Sequence, residues 1–176
     1  MKLRRFSPSL SLAWRTVKIG LSSGITEFSA GIVIFLFNHA ILAYLNEEYI
    51  VSYTIVTYVS TIIVMSMAGI AQGIQPLVSY YYGRRLPEKY HLLLKYALCF
   101  GVVFSIASFV ISRLIASPLV SLFISPELSE LRRESVRVFY TFSYSFLLCG
   151  VNIIIGGFFT AIEYPKSAMA ISLGRG

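Results

Sequence analysis

Residues 49–83 run for about 35 positions without a single charged side chain. A segment that long and apolar can rest in hydrocarbon only if its backbone polar groups are satisfied internally, and a helix does this by itself. At 1.5 Å per residue the helix would be roughly 52 Å long, against a hydrocarbon core of roughly 30 Å. It must therefore tilt, protrude or break. Gly69, Gly73 and Pro76 mark the expected bend, because proline removes a backbone donor and crowds the preceding turn. Further apolar runs cover residues 19–45, 96–124 and 138–162, and a fifth begins at residue 167.

These runs exclude the soluble fold classes. Of the 176 residues, 56% are hydrophobic and 13% charged. A soluble domain carries about 25% charge, and a disordered chain has far less apolar content. The runs are also too long and too uniformly apolar for barrel strands of about ten alternating residues. The expected fold is an all-α integral membrane protein, a polytopic helical bundle of about four full spans plus a truncated fifth over residues 167–176. That last segment, at about ten residues, is too short to cross a bilayer as a helix, so the fold reads as cut off. Cys99 and Cys149 both fall in apolar runs and read as small hydrophobes, with no disulfide framework.

The net charge of +7 comes from basic residues between the apolar runs. Their placement points to membrane orientation, with the lipid bilayer as partner and no nucleic acid. Residues 1–18 form a basic lead-in with Lys2, Arg4, Arg5, Arg15 and Lys18 and no acid. The connection near Glu47 and Glu48 has no basic residue, whereas the next holds Arg84, Arg85, Lys89 and Lys95. The lead-in, the Arg84 to Lys95 connection and Lys166 are thus expected in the cytoplasm of a multi-pass cell-membrane protein. Arg113, Arg132, Arg133 and Arg137 run against this pattern. Arg113 is expected to snorkel to the interface. Ser125 and Pro126 are expected to open a short amphipathic connecting helix reaching Arg137, with i,i+3 and i,i+4 pairs between its glutamates and arginines.

Few residues inside the spans can do chemistry. Glu27 is a carboxylate within an apolar run, where such a group is expensive and usually faces a cavity or a partner. It suits a site that exchanges a proton for another cation. It equally suits a structural carboxyl bonded to a neighbouring helix, or one close enough to the interface to stay wet. Gln72 and Gln75 lie three apart on one helix, beside the Gly69/Gly73 pair and Pro76. Together they form a polar, bent, close-packing patch of the kind that lines transporter cavities, or else a packing seam with its amides satisfied across the interface. Asn38 and Asn152 are the other polar amides of the spans. Tyr80, Tyr81 and Tyr82 before Arg84 fit an interfacial aromatic belt. His39 and His91 are far apart, no metal-ligand spacing occurs, and Gly83-Arg84-Arg85 lacks the pattern of a phosphate loop. The expected protein is not an enzyme and takes no cofactor or metal.

The stretch from Gly69 through Gln72-Gly73-Ile74-Gln75-Pro76 to Tyr80-Tyr81-Tyr82-Gly83 resembles the end of the eighth span of the multidrug and toxic compound extrusion (MATE) family. Residues 19–27 look like the start of the seventh span, Ser125-Pro126-Glu127-Leu128 like the external segment between the ninth and tenth, and Ser172-Leu173-Gly174-Arg175 like the early eleventh. The resemblance implies a secondary active antiporter that exports drugs and organic cations in exchange for H+ or Na+. Its two six-span lobes rock around a central cavity. Glu27 then takes the place of the C-lobe coupling carboxylate, and Asn38, Gln72, Gln75, Pro76 and Asn152 those of cavity-lining residues. Some members carry an acid in the tenth span. Residues 138–162 have none, and Asn152 stands near that place, a departure that leaves coupling to Glu27 or to the N-lobe. The resemblance covers spans seven to ten and the start of eleven, so the N-lobe or a companion chain is an expected partner. Two other readings stand beside it: an inactive remnant or non-transporting interaction module, and a lipid-linked saccharide flippase of the same superfamily. Few basic residues within the spans speak against the flippase.

Overall fold

The computed structural model describes residues 10–45 and 47–174. Lys2, Arg4 and Arg5 of the basic lead-in, and Arg175, lie outside the described residues. Five helices follow one another: α1 (Leu10–Tyr44), α2 (Glu48–Gly83), α3 (Pro87–Phe123), α4 (Ser129–Ala161) and α5 (Pro165–Leu173). The described residues contain no strand. The first four helices each hold a stretch long and apolar enough to cross a membrane, so the chain is an all-α polytopic membrane protein.

Helices α2, α3 and α4 form the core, with α3 on α4 as the most extensive interface. α5 packs on α4 and α1, and α1 touches α2 only lightly. The core follows the three-helix seam from end to end. Ile55, Val56, Ala116, Val120 and Phe139 fill one end. Met67, Ala71, Ala97 and Ile154 fill the middle, and Val78, Phe158 and Ala161 the other end. The buried face of α3 consists largely of small residues (Ala97, Gly101, Ser105, Ser108, Ser112, Ala116). Lipid is as apolar as any side chain, so helices in it gain from close backbone approach, which small residues permit. Polar links reinforce the seam: the Ser52 and Ser135 hydroxyls lie 2.6 Å apart, and Ser79 Oγ donates to the Ala161 carbonyl at 2.9 Å. Other hydroxyls bond back to their own helix, as Thr57 does to the Tyr53 carbonyl, which satisfies them where water is absent.

Several boundaries and packing roles differ from the sequence expectation. α2 is helical without interruption through Gly69, Gly73 and Pro76, so of tilt, protrusion and break the helix does not take the last. One missing donor costs a single hydrogen bond in a long ladder. α3 starts at Pro87 and α4 at Ser129, earlier than the apolar runs, because the charged turns before them remain helical outside the hydrocarbon. No separate connecting helix forms: residues 125–128 are a turn closed by the Leu128 N–H on the Ser125 carbonyl at 3.1 Å. Ser125 therefore caps no helix, and the charged segment is the first part of α4. Of its expected ion pairs, two of i,i+3 spacing are present, Arg133 to Glu130 and Arg137 to Glu134, each at 3.7 Å. A Cβ added at Gly20, Gly24, Gly69 or Gly73 would meet nothing within 4 Å. Close packing falls instead on Gly101, Gly150 and Gly157, where α2, α3 and α4 converge.

The α2–α3 and α4–α5 turns close in the same way. Arg85 (φ 57°) and Glu163 (φ 63°) adopt the left-handed conformation. Around Arg85, the Leu86 N–H bonds the Tyr81 carbonyl and the Arg85 N–H bonds the Tyr82 carbonyl, both at 3.0 Å. This is the Schellman pattern, whose left-handed position favours glycine. A side chain there costs roughly 1–2 kcal/mol, and the greater freedom of glycine in the unfolded chain offsets part of the gain from removing it. Arg85→Gly is expected to stabilise the bundle by about 0.5–1 kcal/mol, read as a raised melting temperature in detergent with no comparable rise for Arg85→Ala.

Candidate functional site

The polar residues of the spans fall on two uncovered helix faces and one seam. Glu27 and Asn38 are eleven residues apart on α1. At 100° and 1.5 Å per residue they lie within about 20° around the axis and about 16 Å along it. They share one stripe with Gly31 and Ile34. Glu27 is exposed and Asn38 half-buried, and none of the membrane-length window Glu27–Tyr44 is buried. Among the described residues Glu27 has no hydrogen-bond or ion-pair partner. The contact between α1 and α2 lies near their junction, where the Phe37 and Tyr53 rings stack with centroids 5.6 Å apart.

On α2 the inward stripe is Ser52, Val56, Ile63, Met67, Ala71 and Val78. Gln72 and Pro76 are four apart and both exposed, on the face they share with Gly69 and Gly73. Gln75 sits one position round and is half-buried, its Nε2 3.4 Å from where a Cβ at Gly157 of α4 would stand. The two glutamines therefore divide. Gln75 belongs to the α2–α4 packing seam, while Gln72 and Pro76 stand on open surface. Asn152 is half-buried on α4. The two clefts at the junction of α3 and α4 include none of these six residues.

Both ends of the bundle carry aromatic and basic groups. At the α2–α3 turn, Arg84 lies 5.2 Å from the Tyr80 ring centroid and Lys89 5.3 Å from that of Tyr81, as an interfacial belt requires. At the other end, the Arg113 guanidinium lies among three aromatic rings. Its Cζ lies 5.1 Å from the Phe109 centroid, 5.0 Å from Tyr140 and 4.9 Å from Tyr144. Its Nε is buried and has no hydrogen-bond partner among the described residues. Cation–π attraction holds the charge there. In the sequence, Phe109/Arg113 and Tyr140/Tyr144 are each i,i+4 pairs, but only the α3–α4 register joins them.

Four helices of membrane length, with a carboxylate and an amide exposed on their faces, define a multi-pass membrane protein. The MatE family model matches residues 25–175, and the chain belongs to this family of membrane transporters. The match takes in all six of the residues above. No curated protein and no solved structure matches the chain.

Proposed function

We propose that this bundle is the C-lobe part of a secondary active antiporter in the cell membrane, exporting organic cations and drugs in exchange for H+ or Na+. The observation that carries the reading is Glu27, an ionisable group in a membrane-length helix, exposed and without a partner among the described residues. Left against lipid, a carboxylate there is costly; a wet cavity or a second protein surface facing it removes that cost, as would a place at the interface. The open α2 face with Gln72 and Pro76 has the same need at a smaller cost. Alternating access then works by differential binding: the coupling ion at Glu27 and the substrate at the amides each favour one arrangement of this bundle against the N-lobe or a companion chain.

Ethidium efflux from cells carrying the gene tests it. Efflux is expected to stop when an ionophore collapses either the proton or the sodium gradient, and that ionophore names the coupling ion. Efflux that survives the loss of both gradients would overturn antiport. Absence of efflux with the protein present in the membrane would return the non-transporting reading.

A further inference from the structure

The arginines of α3 and α4 occupy the end of the bundle opposite the Arg84 to Lys95 turn, where the positive-inside pattern calls for none. Their arrangement gives a reason. Ser117 and Val120 of α3 and Ser129, Arg132, Arg133 and Val136 of α4 line an open cleft of about 440 Å³. No carboxylate lines it. Glu127 and Glu130 line an adjoining cleft that shares Ser129 and Arg133 with the first. Arg132 is half-buried and has no ion-pair partner among the described residues. Arg133 is held only by Glu130 at 3.7 Å, in a highly exposed pair that contributes little. One turn below Ser117 lies Arg113, caged by three rings and likewise without an ion pair among the described residues. The mouth is therefore net cationic, with hydroxyls at hand and Glu130 beside Arg133 as its one paired carboxylate among the described residues.

An apolar track continues from the mouth toward mid-membrane. Tyr140, Tyr144 and Leu148 follow one another at i,i+4 along α4, and Tyr144 and Leu148 are exposed. A cationic cleft at one end of such a track matches an amphiphile with an anionic head and a hydrocarbon tail. The planar guanidinium fork matches phosphate oxygens two at a time. We propose that this cleft binds the phosphodiester of an anionic membrane phospholipid. Arg132 and Arg133 grip the phosphate, Ser117 and Ser129 line the head, Arg113 adds charge from below, and an acyl chain lies along Tyr144 and Leu148.

The test uses the full chain, reconstituted in bilayers of phosphatidylglycerol and phosphatidylcholine and released into mild detergent for native mass spectrometry. Retained phosphatidylglycerol is expected to exceed phosphatidylcholine, and to fall about fivefold for Arg132→Gln and again for the double variant with Arg133→Gln. Arg84→Gln, at the opposite end, is the control and should leave retention unchanged. An equal loss in Arg84→Gln, or undiminished retention in the double variant, would overturn the site. Displacement of the lipid by inorganic phosphate at matched concentration would overturn the lipid assignment in favour of a free anion. Should the double variant fail to purify, Arg133→Gln alone, at an exposed position, decides the question by the same readout.

Discussion

Gly150→Val is expected to destabilise the bundle by about 3 kcal/mol, at the upper end of overpacking costs. A Cβ at Gly150 would stand 2.5 Å from Ser105 Oγ, 2.8 Å from Met67 Cε and 3.1 Å from the Gly101 carbonyl oxygen. The first two atoms end side chains that have some freedom to turn, although Met67 and Ser105 are almost fully buried. The third is backbone of α3 and can move only if the helix moves. Alanine introduces the same clash but recovers roughly 1 kcal/mol of helix propensity over glycine, so Gly150→Ala should be much milder. Valine adds two methyl groups at the point where α2, α3 and α4 meet and must push the helices apart. The comparison is Gly24→Val on α1, where nothing lies within 4 Å and the change should stay within about 0.5 kcal/mol. Thermal unfolding of the two variants in the same detergent measures the difference. Equal melting temperatures would mean that Gly150 is not the contact that sets the separation of the three helices.

That contrast also marks what the sequence could carry. Uninterrupted apolarity made the four long helices legible, because nothing but a membrane accommodates runs such as residues 49–83. It also concealed which way each helix faces. A helix apolar all round has no amphipathic stripe to read, so Gly69 and Gly73 looked as good a packing pair as Gly101 and Gly150. The helix starts at Pro87 and Ser129 were missed for a related reason: hydropathy reports where lipid ends, and these helices continue past it. Glu27 was legible because a carboxylate in an apolar run is conspicuous by composition alone. Its surroundings were not, since they depend on which surface covers α1. The cage around Arg113 needed the register of two helices and could not be read from either one. Gln72 and Gln75 illustrate the limit of spacing arguments: three residues apart, they still divide between an open face and a packed seam, because 300° of rotation leaves them about 60° apart.

In cells that show efflux, Glu27→Gln is expected to reduce coupled ethidium transport by on the order of tenfold or more while leaving the fold intact. Glutamine keeps the shape and the hydrogen-bonding carbonyl but can neither carry a proton nor offer a formal charge to sodium. Because Glu27 is exposed on α1 and has no partner among the described residues, its neutral replacement removes no packing contact there. The melting temperature should stay within the range of ordinary surface changes, about 0.5 kcal/mol in stability. This separates the functional role from the structural one. A carboxyl that anchors a neighbouring helix would lose stability and transport together, whereas a coupling group loses transport alone. Glu27→Asp should recover part of the activity, since it restores the charge at a shorter reach. Undiminished efflux from Glu27→Gln would assign coupling elsewhere, and the absence of any acid from residues 138–162 makes the N-lobe the next place to look.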